Sequence, residues 1–357
     1  MTKQHFVILG AGISGLALAW YLKKRYQDQI RLTVIEKGSR AGGWICTTQQ
    51  QGFLFEEGPR SCRTKGAGIA TLELIEELGL QGEVIAASPD ATKRYLYADK
   101  QLQCLPQSFL SLLFSPVMRG TLLSLFNEWR KTPEKYVDES IYDFFARRLS
   151  PKIAEQFIDP LVAGIYAGDI RQLSVRSCFS QLYQWEQTYG SLTKGMLFDR
   201  TSSKSTHSPF VQAMKSSPIF SFKKGMETLV ARLSSKLHEH LQFNSSATTL
   251  KVLSGEIEVF LADGKNLRAD RVFIALPAEA TISLLKHSFP SMQTSLPEVS
   301  TASVAVVNLG WSQSVLKYSG FGYLIPSREQ EKILGVVWDS SVFPQQNSSN
   351  SQTRLTV

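Results

Sequence analysis

HFVILGAGISG, residues 5–15, sets a strand-forming run directly against three glycines, and RLTVIE, residues 31–36, repeats the strand pattern some twenty residues on. Residues 5–9 read as a short buried strand, because an uninterrupted apolar run bounded by glycine suits a strand covered on both faces. Residues 13–26 read as a helix with an apolar stripe through Leu16, Ala19, Trp20 and Leu22, and 31–36 as a second strand. The order strand, helix, strand opens a βαβ unit.

The glycine spacing is GxGxxG: Gly10, Ala11, Gly12, Ile13, Ser14, Gly15. Alone that pattern is weak evidence, but here it lies between a strand and a helix, and Glu36 stands at the tip of the second strand. Gly10 permits the tight turn, Gly12 lets a pyrophosphate approach the backbone, and Gly15 lets helix and strand pack closely. The helix start then offers N–H groups and partial positive charge to phosphates, and Glu36 accepts from a ribose. An acidic residue at that place disfavours a 2′-phosphate, which leaves NAD and FAD. Arg40-Ala41-Gly42-Gly43-Trp44 follows at once, and a second glycine pair beside the ribose carboxylate suits a chain lying flat against a more extended cofactor.

The chain has 357 residues, 43% hydrophobic and 20% charged, enough for a large core and two or three domains. Its net charge of +8 is scattered, without the dense basic run and interleaved aromatics of a nucleic-acid groove, so no nucleic-acid partner is expected. Cys46, Cys62, Cys104 and Cys178 form no CxxC pair and have no histidine at ligand spacing, so neither a metal site nor a disulfide framework is expected, and a cytoplasmic, reducing location follows. The first twenty residues imitate a signal peptide, but their glycines belong to the fingerprint; no run is long and apolar enough to predict a membrane-spanning helix.

Further along, a helix is expected near 69–80 ending at Gly79, a strand at 93–97, and a largely helical block from Leu105 to about Tyr183. Residues 199–209 read as a linker, and a helix starts after Gly225. LQFNSSATTLKVL, EIEVFLADGKNL and DRVFIALP read as three strands with turns at Ser254-Gly255 and Asp263-Gly264, and TRLTV (353–357) as a strand with an unpaired edge. The expected class is α/β: a discontinuous Rossmann-like dinucleotide-binding domain (1–90 and 215–277), an inserted helical domain (91–184), a linker with part of a substrate domain (185–214), and a mixed-sheet substrate domain (278–357).

The GAGISG fingerprint, the Glu36-x-x-x-Arg40-x-Gly-Gly run and FEEGP (55–59) together resemble the flavin-containing amine oxidase superfamily. KRYLY (93–97), IDPLVAGIYAGD (158–169), FSFKKGMETL (220–229) and GFGYLIPSREQ (320–330) resemble its porphyrinogen-oxidising branch, which includes protoporphyrinogen and coproporphyrinogen oxidases. The resemblance implies FAD as cofactor, a porphyrinogen as substrate and molecular oxygen as acceptor, with hydride leaving a methylene bridge for flavin N5. It implies a helical domain resting on the membrane, so peripheral contact with the inner face is expected of LPQSFLSLLFSPVMRGTLLSLFNEWRK (105–131), and a homodimer is carried as a further expectation. The cofactor set it implies is the fingerprint together with Glu36, Lys37, Arg40, Gly42, Gly43, Trp44, Glu57, Gly58, Pro59, Arg60 and Ala247.

For the substrate, Arg94 is implied as the anchor of a propionate, since a guanidinium offers a carboxylate bidentate geometry. Gly164, Ile165 and Tyr166 are implied to line the cavity, with Leu324 and Val337 sandwiching the macrocycle and Arg60 facing the isoalloxazine or a propionate. Glu56 and Glu57 look like an acid/base pair, but neighbours in an extended run point to opposite faces, so no catalytic pair is assigned. Full-length relatives continue beyond the position of Val357, so the chain is expected to lack their C-terminal part. Open alternatives are a flavin oxidase for amines or a desaturase, and a truncated, inactive binding protein of the same fold.

Overall fold

Strand β1 (Gln4–Leu9) is exposed only at its first residue, and its alternate side chains enter two different cores. Phe6 and Ile8 point into one and Val7 and Leu9 into the other, as the two-residue period of a strand requires. The computed structural model of the chain describes residues 3–106, 127–132, 138–199, 207–292, 295–296, 299 and 301–357. These form two units, Met1–Ala86 with Pro209–Thr301, and Ala87–Ser208 with Ala302–Val357.

In the first unit β1 lies parallel between β2 (Ile30–Ile35) and β14 (Arg271–Ile274), and β10 (Leu241–Gln242) extends the sheet beyond β2. Helix α1 (Ile13–Tyr26) connects β1 to β2, and its last turn carries Lys23, Lys24 and Arg25, the sign that suits a helix C-terminus. With α2 (Gly68–Glu77) and α7 (Glu227–Leu237) it covers the face holding Phe6, Ile8, Leu32 and Val34. The opposite face, with Val7, Leu9 and Ile35, packs on an antiparallel sheet of β11 (Ala247–Val252), β12 (Ile257–Leu261) and β13 (Asn266–Ala269), and on α8 (Ala278–Ser288). A parallel sheet covered on both faces buries its central strand throughout, which is why residues 6–9 read as an unbroken apolar run. A hairpin of β3 (Thr47–Gln50) and β4 (Phe53–Glu56) and a small sheet ordered β5 (Cys62–Arg63), β9 (Ile219–Phe222), β6 (Val84–Ala86) complete the unit.

Two strand expectations change. LQFNSSATTLKVL is not one strand: Asn244 adopts a left-handed conformation (φ 53°), and β10 and β11 on either side join different sheets. Asparagine tolerates that conformation because its short polar side chain bonds locally.

The second unit holds a mixed sheet ordered β15 (Asn308–Trp311), β18 (Thr353–Thr356), β17 (Gly335–Val337), β16 (Gly322–Leu324), β7 (Tyr95–Ala98), β8 (Gln101–Cys104). Only β16 and β7 run parallel; Asp99 and Lys100, both at positive φ, turn β7 into β8. Here the expected unpaired edge at TRLTV is overturned: β18 pairs with β15 on one side and meets β17 on the other through Val337 and Thr356. The same unit contains helices α3 (Ile141–Arg148), α4 (Asp159–Tyr166), α5 (Ser180–Tyr189) and α6 (Leu192–Phe198), packed around Ile141, Phe144, Phe145, Val162 and Val175. Most of the stretch expected to contact a membrane, including Arg119, lies outside the described residues, as do residues 200–206 of the linker. Among the described residues no helix is long and apolar enough to cross a membrane.

Ion pairs organise these helices. Arg147 bridges Glu139 and Glu186, and Arg148 bridges Glu128 and Glu186, all close to fully buried except Arg147. Glu128 also accepts from Leu192 N (2.9 Å), Ser191 Oγ (2.7 Å) and Thr193 N (3.1 Å), capping the start of α6. Burial opposes its charge, but these donors outweigh it and hold the carboxyl at about 2. Lys131 donates to the carbonyls of Arg147 and Leu149 at the end of α3, and so is tied down at the helix terminus.

Candidate functional site

The first unit gathers the glycine fingerprint, Glu36, the RAGG run and the Glu57-Gly58 turn around the start of α1. A Cβ added at Gly15 would lie 1.9 Å from Gly10 O, so helix and strand can approach only because that side chain is missing. At Gly12, the N-cap of α1, an added Cβ would meet nothing within 4 Å. This helix start has no side-chain cap and no acidic residue in its first turn, which leaves its dipole available to an anion. Gly12 also bridges to Gly42, and Gly42 N donates to Ala11 O at 2.8 Å.

Glu36 does more than the fingerprint predicts. Its Oε2 accepts from Ala11 N and its Oε1 from Gly38 N, both at 2.8 Å, so the carboxylate braces the glycine turn itself. Each oxygen keeps a further lone pair for a hydroxyl. Arg40 likewise turns to its own loop, donating to Ile45 O (2.9 Å), Gly43 O (3.0 Å) and Ala41 O (3.1 Å). Lys37 is exposed, and Ala247 is half-buried at the start of β11, brought near Glu36 by the bonds Ser245 N to Glu36 O (2.9 Å) and Asn244 N to Gly38 O (3.0 Å).

The glutamate pair separates as alternation requires. Glu56 is buried and accepts from Thr47 Oγ1 (2.8 Å) and from Met226 N (2.7 Å) at the N-cap of α7. Thr47 and Glu227 add a reciprocal pair, Thr47 N to Glu227 Oε2 and Glu227 N to Thr47 Oγ1, each 3.1 Å. Glu57 is exposed, and the hydroxyl of Thr48, with the thiol of Cys46 second, holds its carboxyl below the usual range. Gly58 runs so close to Trp44 O that an added Cβ would lie 1.9 Å away; Trp44 and Pro59 are exposed and Arg60 is half-buried. Sequence reasoning missed the anchoring by Glu56 because its partner is 170 residues away.

These residues fit a dinucleotide with a flavin. An uncapped helix start faces open space at Gly12, a carboxylate stands at the end of β2, and the Gly42-Gly43 and Gly58 backbones lie flush beside them. Among the described residues no cluster suited to a metal ion occurs.

The second unit brings together two of the quoted motifs. Gly164 on α4 packs against Leu324 on β16 so tightly that an added Cβ would lie 2.6 Å from Leu324 Cδ2. Asp159, the first residue of α4, accepts from Ser327 N (2.7 Å) and Ser327 Oγ (3.0 Å) just beyond β16. Val337 lies opposite Gly322 in the β16–β17 ladder, so it shares a sheet face with Leu324, two residues along. Arg94 is exposed just before β7, with its guanidinium 5.0 Å from the Phe321 ring centre. Ile165 and Tyr166 are half exposed, Tyr166 donating to Cys178 O at 3.2 Å.

Residues 13–357 match the profile of flavin containing amine oxidoreductases. Protoporphyrinogen oxidase of Bos taurus is 37% identical over 98% of this chain and 76% of its own length. Coproporphyrinogen III oxidase of Bacillus subtilis is 29% identical over 96% of this chain and 74% of its own length. A crystal structure from Exiguobacterium sp. 255-15 superposes with a TM-score of 0.78 at 23% identity, covering 100% of this chain and 77% of that one. Putrescine oxidase with bound putrescine gives 0.68 at 15% identity, covering 99% and 75%.

Proposed function

This chain belongs to the flavin-containing amine oxidoreductase family, and we propose that within it the protein oxidises a porphyrinogen, protoporphyrinogen IX or coproporphyrinogen III, to the porphyrin. FAD is its cofactor and supplies, when bound, the acceptor for hydride leaving a methylene bridge. The carrying observation is the close Gly164–Leu324 contact, which seats α4 on β16 and brings together two of the segments that resemble the porphyrinogen oxidases; the pair would offer a flat macrocycle an apolar wall.

The chain's own residues bind, orient and exclude water. The start of α1 at Gly12 would hold the pyrophosphate and Glu36 the ribose hydroxyls, while the Glu57-Gly58-Pro59 backbone, with Arg60 beside it, would run along the flavin. No side chain is assigned as acid or base. Glu56 is engaged in anchoring α7, and Glu57, held ionised by Thr48, is a poor proton donor near neutral pH. Gly164, Ile165, Tyr166, Leu324 and Val337 would bound the macrocycle, and Arg94 would pair with a propionate.

Oxygen as acceptor, peripheral membrane contact and a homodimer belong to the same proposal. Exposed Met196, Leu197 and Phe198 at the end of α6, with half-exposed Trp129, support the membrane contact. The purified chain should carry a flavin absorbance spectrum and generate porphyrin fluorescence from one of the two porphyrinogens. Absence of both signals, or turnover of amines instead, sinks the reading. Arg94→Ala should raise KM about tenfold for the carboxylated substrate with kcat little changed, since it removes a binding contact made equally in ground and transition states.

A further inference from the structure

We propose that Asp159 is a positioning residue that fixes α4 against β16 and thereby sets the wall offered to the macrocycle; this rests on the substrate reading given above. Asp159 is 8% exposed, and each of its oxygens accepts from Ser327, one from the backbone N–H and one from the hydroxyl. Helical backbone runs into Asp159 without a break, Ile158 being in the αR region, so the Asp159 carboxylate is not an N-cap. It faces another segment, 168 residues away in sequence.

The geometry explains what such a bond accomplishes. The turn before α4, Ala154–Ile158, is π-helical. A π turn holds an extra residue and shifts the face that the following turns present, but it does not by itself fix how that face sits on the sheet. Two contacts do. One is the Asp159–Ser327 clamp at the helix start, and the other is Gly164 on Leu324, about 7.5 Å farther along the axis at the usual helical rise. Between them Val162 and Ala163 are buried, so the helix pivots on its apolar face and the clamp limits its tilt.

Releasing the clamp frees α4 to tilt and widens the space beside Leu324. A flat ligand then binds less well, whereas the flavin-holding residues, all in the other unit, are untouched. The full chain would be compared with Asp159→Ala, Asp159→Asn and Gly164→Ala for porphyrinogen KM and kcat, flavin content, and hydrogen exchange across residues 159–166. Asp159→Ala and Gly164→Ala should each raise KM about tenfold with kcat within about threefold, because each misplaces the same wall. Asp159→Asn should stay near wild type, its amide oxygen accepting from Ser327 N and its amide nitrogen donating to Ser327 Oγ. In the double variant Asp159→Ala/Gly164→Ala the KM increase should fall short of the product of the single effects.

An unchanged KM in Asp159→Ala, or an Asn variant as impaired as the Ala variant, overturns the proposal while the wild type still turns over. A wild type that oxidises neither porphyrinogen instead sinks the substrate reading. The clamp is then judged by exchange alone: faster exchange of 159–166 in Asp159→Ala with protection kept in Asp159→Asn supports it, and unchanged exchange overturns it.

Discussion

Gly12 and Gly15 sit three positions apart in one turn yet serve opposite ends. Gly15 faces backbone, with Gly10 O where a Cβ would lie, and Gly12 faces open space. Gly15→Ala should therefore destabilise the fold by about 1–3 kcal/mol or more, because the obstacle is main chain that cannot rotate away. Gly12→Ala should leave the melting temperature of the flavin-free protein unchanged while sharply reducing flavin retention, since the methyl would enter the space proposed for the pyrophosphate. Thermal melts by circular dichroism and the flavin-to-protein absorbance ratio separate the two. Full flavin content in Gly12→Ala would remove that space from the cofactor site.

At the scale of elements, the β3–β4 hairpin is held to the start of α7 by Glu56 and Thr47. Gly225, at φ 88°, leaves room for both, since a Cβ there would lie 2.3 Å from Thr47 Cγ2. The hairpin leads straight into Glu57-Gly58-Pro59, so the anchor sets the backbone proposed to run beside the flavin. Glu56→Ala strips buried Met226 N and Thr47 Oγ1 of an acceptor and should cost about 1–3 kcal/mol, with weaker flavin binding. Glu56→Gln keeps an acceptor for Met226 and should retain turnover within a few-fold. A Gln variant that folds normally, binds flavin and loses all turnover would restore Glu56 as a catalytic base.

For the molecule as a whole, the proposed cofactor residues fall in one unit and the proposed substrate wall in the other, and the second unit contains the buried carboxylate of Glu128. Glu128 is held at about 2 in the fold against an ordinary 4.5, so its ionised form is what the fold favours. The stability it contributes is complete above about pH 4.5 and is lost progressively as pH falls toward 2. Fluorescence of Trp129 and Trp185, which lie in that unit, should report its unfolding over this window. Glu128→Gln should flatten the dependence while lowering stability at neutral pH, because Arg148 loses one of two buried anionic partners. An unaltered acid profile in Glu128→Gln would show that other carboxylates control it.

The sequence alone determined the features that are local. The strand–glycine–helix opening, Glu36 at the end of β2, the αL glycine after α2 (Gly79, φ 67°) and the hairpin turn at Gly264 (φ 84°) each rest on a few adjacent residues whose backbone preferences are strong. The opposed faces of Glu56 and Glu57 were legible for the same reason. Tertiary structure alone decided which distant groups those residues meet: Glu56 with the start of α7, Asp159 with Ser327, Gly164 with Leu324, and TRLTV between two strands instead of at an edge. Asn244 shows the boundary, since a strand-like run divides where two sheets draw its halves apart. Periodicity reports the local backbone and which side chains are buried, whereas their partners depend on a chain path closed over more than a hundred residues, which no short pattern records.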